Sequence, residues 1–207
     1  MAMAVLLAVL LGARALGGSG GTAEPGASSS PSPLPPAAYL YGKPAAAPAL
    51  TGLLDQDGKP WDPVALSGGP TLVFFGYTHC PDVCPATTGT ITTVMAAYGT
   101  SLRSVFVSVD PERDTVAWLQ GYVKYLPAGF TALTGTAADV KAVADLWGVR
   151  YARVESGTPG EYSMSHTAEV YLVDGSGVLR AHFPFGTPAE AMLATLRLVA
   201  EIGRAHV

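Results

Sequence analysis

Charge, cysteine and histidine are all scarce in this sequence, and each shortage narrows what the protein can do. Only 14% of its 207 residues are charged, with 12 Lys and Arg against 16 Asp and Glu for a net charge of −4. The basic residues are scattered along the chain. A phosphate backbone is bound by a cluster of them, so nucleic-acid binding is not expected. There are two cysteines, Cys80 and Cys84. The loop that so close a pair would close is too short to constrain the unfolded chain, so the pair is chemical rather than a staple across the fold. The N-terminal apolar run, Met1 to Gly12, covers about a dozen residues. That length suits the core of an export signal and falls short of the ~20 residues of a membrane-spanning helix. No cysteine follows the run, which argues against a lipoprotein signal. Residues 1–16 therefore read as a signal peptide or membrane anchor, with the protein exported to the periplasm or to the outer face of the cytoplasmic membrane.

What the chain does have is apolar residues, 49% of the total. Part of that excess lies in residues 17–48, a stretch dominated by Gly, Ala, Ser and Pro that cannot bury enough surface to order itself and reads as a semi-extended linker. Residues 49–207 read as one domain. Asp57-Gly58 marks a hairpin turn. Thr71–Tyr77 is a short apolar run suited to a strand buried on both faces. Pro85–Tyr98 follows as a Thr-rich helix, a weak former that tertiary packing must hold. Ser104–Val109 is a strand, and Asp114 is placed to cap a helix carrying Trp118, Leu119, Tyr122 and Val123. Phe130–Leu133 is a strand, and Thr136 opens a helix that stops at Gly148. A loop of Gly, Ser and Pro leads to the strand Thr167–Val173, which turns at Asp174–Gly177 into the strand Val178–Phe183. The last helix has Thr187 as cap, Pro188 at its first position, Glu190 closing a capping box and Gly203 at its end. Strands alternating with helices imply a largely parallel sheet covered on both faces. With a terminal antiparallel pair, and a cysteine pair after the first core strand, the α/β order is thioredoxin-like: a central mixed sheet flanked by helices, with an N-terminal β-hairpin extension.

The chemistry concentrates in Phe75-Gly-Tyr-Thr-His-Cys80-Pro-Asp-Val-Cys84-Pro85. Pro85 fits a helix only in its first turn. That places Cys84 at or just before the helix start and Cys80 in the loop leading to it, where unpaired N–H groups and the helix dipole favour a thiolate. Thiolates attack disulfides and are soft ligands suited to Cu(I). His166 stands directly before an apolar strand, in a loop that a thioredoxin-like fold turns toward the cysteines and where thioredoxins usually carry a cis-proline. An imidazole there completes a Cys₂His set of a kind copper takes. His79 is a spare ligand candidate whose side chain can point away from Cys80. His182 reads as a packed or surface residue, and His206 lies in the tail. Asp110 ends a strand beside the cysteine-bearing one and is a candidate to line the site or a docking surface.

These segments, with Ser108-Val-Asp-Pro-Glu-Arg-Asp-Thr115, Leu133-Thr-Gly-Thr136 and His166-Thr167, resemble in order and spacing the Sco/SenC family, from about Asp55 to Glu201. The resemblance implies a thioredoxin fold and one copper ion, Cu(I) or Cu(II), held by Cys80, Cys84 and His166. It also implies work in assembling the binuclear CuA centre of cytochrome c oxidase, by delivering copper, by reducing the target's cysteines, or both. The partners implied are the copper-bearing subunit of the oxidase and either another copper chaperone or a thiol–disulfide reductase. The domain is expected to be a monomer working close to a membrane. One departure stands out: the family usually carries an acidic residue just before the histidine, and this chain has Ser165. Loss of that carboxylate is expected to alter the support of His166 or the affinity for Cu(II). A metallochaperone is the first reading, favoured by His166 and the absence of a CxxC. A thiol–disulfide oxidoreductase using Cys80 and Cys84 is the second. A peroxiredoxin-like peroxidase ranks last, because no activating Arg stands close to the cysteines in sequence.

Overall fold

The computed structural model describes residues 38–205. In chain order the strands are β1 (Tyr39–Ala46), β2 (Leu54–Asp55), β3 (Thr71–Gly76), β4 (Arg103–Ser108), β5 (Phe130–Thr134), β6 (Tyr151–Glu155), β7 (Tyr162–His166), β8 (Val170–Val173) and β9 (Val178–Phe183). The helices are α1 (Val83–Tyr98), α2 (Val116–Val123), α3 (Ala137–Leu146) and α4 (Ala189–Ala205). Seven strands form one mixed sheet in the order β1-β9-β8-β3-β4-β5-β2, and β6 and β7 form a separate two-stranded hairpin.

β3 is buried along its whole length. It pairs parallel with β4 and antiparallel with β8, and its alternating side chains reach opposite layers. Phe74 meets Phe106, which in turn meets Tyr122 of α2, while Phe75 packs on Trp147 at the end of α3 and on Tyr171. The sheet is therefore mixed and covered on both faces, but only the β3–β4 and β4–β5 pairings are parallel, so it is less parallel than the alternation of strands and helices implies. α1 is held by packing rather than propensity: Ile91, Val94 and Met95 are buried. The hydroxyls of Thr87, Thr90 and Thr93 each donate back to the carbonyl four residues earlier, on Val83, Ala86 and Gly89. That back-bonding satisfies a residue type poorly suited to helices.

Several boundaries differ from the sequence reading. Residues 39–46, assigned to the 17–48 linker, form β1, an edge strand on β9 with Tyr39 opposite His182. Its Gly42, Lys43 and Pro44 weaken any strand signal, and an edge position is where a sheet tolerates them. Residues 1–37, and with them the export segment, lie outside the described residues, as does His206. The Asp57-Gly58 hairpin is a tight turn with Gly58 at φ 75°, closed by one bridge from Leu54 to Pro60. Its first arm, β2, joins the far edge of the sheet on β5. The expected loop before Thr167 is the β6–β7 hairpin, and β8 begins only at Val170. At the last helix the Thr187 hydroxyl donates to the Pro184 carbonyl instead of accepting as a cap, and α4 runs through Gly203. No described helix is long and apolar enough to cross a membrane.

The sheet has two distinct poles. The end of β3, the starts of β8 and β1 and the end of β9 share one pole. The last turns of α4 lie with Pro70 and Tyr98 at the other.

Candidate metal centre

α1 starts at Val83, so Pro85 falls in its first turn and Cys84 at its second position, with Cys80 in the preceding loop. This is the placement that Pro85 dictates. Cys84 is buried beneath the corner and Cys80 is partly exposed; both are free thiols. The Cys84 N–H points at the Cys80 sulfur at 3.4 Å. Cys84 can lie so deep because residue 76 has no side chain. A Cβ there would stand 3.0 Å from the Cys84 Sγ and 2.9 and 3.1 Å from the rings of Phe74 and Phe106.

His166 arrives from the other side, as the last residue of β7. The period of two along that strand turns Tyr162, Met164 and His166 inward and leaves Ser163 and Ser165 exposed. Its Nδ1 lies 3.0 Å from the Thr167 carbonyl. A carbonyl can only accept, so Nδ1 carries the proton and Nε2 presents a lone pair. That Nε2 lies 3.2 Å from the Cys84 Sγ. The two sulfurs and one ring nitrogen all lie within 4.8 Å of one another, a spacing at which the three could share one metal ion. Among the described residues no other group of three or more metal-ligating side chains converges in this way.

The two thiols differ electrostatically. Burial alone would raise Cys80, but hydrogen bonds from the backbone of Cys84 and Asp82 and from the side chains of Cys84 and Tyr77 outweigh it and hold the thiol below its ordinary value. Burial pushes Cys84 far up, with nearby Cys80 and Asp114 adding to the effect and the Tyr77 backbone opposing it in part. Burial also lowers His166, the Thr167 carbonyl opposing, so the ring is neutral at pH 7. Once Cys84 gives up its proton, two thiolate sulfurs and the Nε2 lone pair make a donor set that suits Cu(I).

Two supports were not legible from sequence. Asp114 is fully buried and does not cap α2; Thr115 does, accepting from the Trp118 N–H. Asp114 instead accepts from the Thr78 N–H at 3.0 Å, the Thr78 hydroxyl at 2.5 Å and the Ser108 hydroxyl at 2.7 Å, pinning the loop that carries Cys80. Asp110 faces inward, bound to Arg113 at 2.5 Å and to the Tyr162 hydroxyl at 2.8 Å. It ties β7 to the corner after β4 and does not touch the cysteines. Both Asp114 and Asp110 stand in a segment the sequence singled out; only the contact partners were hidden.

The remaining candidates separate cleanly. His79 stacks on Trp118 at 4.9 Å, with Nδ1 3.4 Å from Asp114, and stands outside the three-ligand group. His182 is packed between Tyr39 and Tyr41 and lies 3.0 Å from the Tyr41 hydroxyl. Ser165 points away from the cluster, its hydroxyl donating to the Ala152 carbonyl across the hairpin at 3.3 Å. The hydrogen-bond partner of the His166 Nδ1 is the Thr167 carbonyl, and Ser165 takes no part in it.

The family model described as SCO1/SenC matches residues 51–201. A SCO2-like protein of Rickettsia felis is 34% identical over 145 residues, covering 68% of this chain and 71% of that protein. The solved structure of Bradyrhizobium japonicum ScoI with copper bound is 37% identical, with a TM-score of 0.66, covering 74% of this chain and 98% of the other. That of Arabidopsis thaliana ScoI with copper bound is 28% identical, with a TM-score of 0.68 and coverage of 76% and 99%. With a thioredoxin-like fold and a family match over most of its length, the chain belongs to the SCO1/SenC family.

Proposed function

We propose that this protein is a copper-binding assembly factor acting outside the cytoplasm, in the periplasm or on the outer face of the cytoplasmic membrane. Cys80, Cys84 and His166 would hold one copper ion as cargo, for assembly of the CuA centre of cytochrome c oxidase through its copper-bearing subunit. The observation that carries this reading is the convergence of two sulfurs and an imidazole nitrogen within 4.8 Å, one from each of three residues. Partly exposed Cys80 is the ligand a partner's thiolate reaches first, and buried Cys84 the one it reaches last. Anaerobic titration of the reduced protein with Cu(I) against a competing chelator tests the reading. Tight one-to-one binding, weakened by Cys80→Ser, Cys84→Ser and His166→Ala, is the expected result. Absence of binding by the unaltered protein overturns it.

The asymmetry of the two thiols favours a second activity at the same place. Cys80, lowered and accessible, would attack a target disulfide as the thiolate, forming a mixed disulfide and releasing one target thiol. Cys84, losing its proton, would then attack the Cys80 sulfur, releasing the second target thiol and leaving a Cys80–Cys84 disulfide. The target gains two electrons and this chain loses two, to be restored by an external dithiol reductase. His166→Ala weakens copper binding while leaving the first step, attack by Cys80, in place, which separates the two activities.

A further inference from the structure

Tyr162 ties the β6–β7 hairpin to the body of the protein through its hydroxyl, its ring and its backbone carbonyl. Its hydroxyl donates to Asp110 at 2.8 Å. Its ring is sandwiched between two guanidinium groups, Arg113 and Arg153, each 3.7 Å from the ring centroid. Its backbone carbonyl accepts from Arg113 Nη1 at 3.0 Å. Neither arginine is loose: Arg113 is also bound to buried Asp110, and Arg153 to Glu112 and Glu155. Arg113 further lies 5.6 Å from the centroid of Tyr77, whose ring meets His166 edge-on at 6.0 Å.

The hairpin has two strands and no third to fix it, and such a ribbon is marginal on its own. Tyr162 and His166 sit on the same face of one strand, four residues apart. Whatever fixes Tyr162 therefore fixes the distance from the His166 ring to the Cys84 sulfur, which belongs to a different part of the fold. We propose that Tyr162, clamped by Arg113, Arg153 and Asp110, is the positioning residue that sets His166 against the two cysteines. This inference rests on the copper-site reading for its consequence, since the position of His166 matters most if the ring is a ligand. Planar guanidinium stacking does the clamping, so the charge of lysine cannot replace Arg113.

The test uses the full chain with Tyr162→Phe, Tyr162→Leu and Arg113→Lys, and two readouts. The first is the nitrogen NMR spectrum of the His166 ring in the metal-free reduced protein. One tautomer, with the proton on Nδ1, is expected in the unaltered protein and in Tyr162→Phe. A second tautomer or exchange broadening is expected in Tyr162→Leu and Arg113→Lys. The second readout is copper affinity by chelator competition, expected to fall by about 10–100-fold in Tyr162→Leu, as for loss of a group that orients a metal ligand. Arg113→Lys should fall in the same direction, and Tyr162→Phe by less. Circular dichroism of each variant identifies any that fail to fold, and Tyr162→Phe, which keeps the ring, then carries the affinity comparison with the unaltered protein. An unchanged His166 spectrum with unchanged affinity in folded Tyr162→Leu and Arg113→Lys overturns the proposal. If the unaltered protein binds no copper while the spectra still change, the copper-site reading falls and the positioning role stands.

Discussion

The two cysteines and the histidine come from regions built in different ways. The β3–α1 corner is an extension of the core: β3 is buried throughout, Cys84 sits under it against Gly76, and Asp114 holds the approach loop from within. The β6–β7 hairpin is an outlying arm with only one half-buried face, attached through side chains rather than through the sheet. Two ligand positions are thus fixed by packing, and the third by a clamp of charged and aromatic groups. Interior packing resists small displacements, because voids and overlaps both cost energy. An arm held at its edge is displaced at less cost, so the position of the third ligand depends on the clamp in a way that the positions of the cysteines do not.

The sharpest way to break this contrast is at Asp114. Asp114→Ala leaves the Thr78 N–H, the Thr78 hydroxyl and the Ser108 hydroxyl without their acceptor inside the protein. The expected loss is about 1–3 kcal/mol for each buried donor left unsatisfied, read by urea denaturation of the reduced protein. A loss below 1 kcal/mol, within the range of surface contacts, would show the corner to be no firmer than the arm. A smaller effect lies within the corner itself. Cys80 should be alkylated faster than Cys84 at neutral pH by at least about tenfold, because hydrogen bonds lower the accessible Cys80 thiol whereas burial raises that of Cys84. Raising the pH should increase the Cys80 rate with an inflection below that of an ordinary thiol, because deprotonation makes the nucleophile. Equal rates, read by mass spectrometry of the labelled peptides, would abolish the asymmetry. The smallest effect belongs to the outer face of the arm. Ser165→Asp restores the acidic residue of the family pattern on a side chain directed at Ala152 and away from the cluster. Stability should stay within about 0.5 kcal/mol and Cu(I) affinity unchanged; tighter binding would mean that the residue before the histidine reaches the site.

The corner was readable because its information is local. Pro85 limits where α1 can start, the apolar run of β3 ends beside it, and the two cysteines fall between. His166 was reached by a longer route, through strand order and family resemblance, since nothing in Tyr162–His166 announces a ligand. The arm itself was missed: Tyr-Ala-Arg-Val-Glu and Tyr-Ser-Met-Ser-His bury at most one face, and the Gly- and Pro-bearing segment between them reads as loop. β1 was missed for a related reason, because an edge strand carrying glycine, lysine and proline lacks the pattern that burial imposes. At Asp114-Thr115 either residue type makes a good cap. Only the tertiary structure reveals that Asp114 is needed in the interior and that the capping falls to its neighbour.

The polarity of the sheet has a practical consequence for any attempt to load or interrogate the thiols. The strand that begins at Tyr39 starts at the same pole as β3 ends, whereas the final turns of α4 lie over Pro70 and Tyr98 at the opposite pole. A dye, a gold-surface linker or a fusion partner attached near Glu201 leaves the sulfurs and the imidazole facing free solution. The same attachment made beside Leu40 stands on their side of the molecule and competes with whatever protein must reach them.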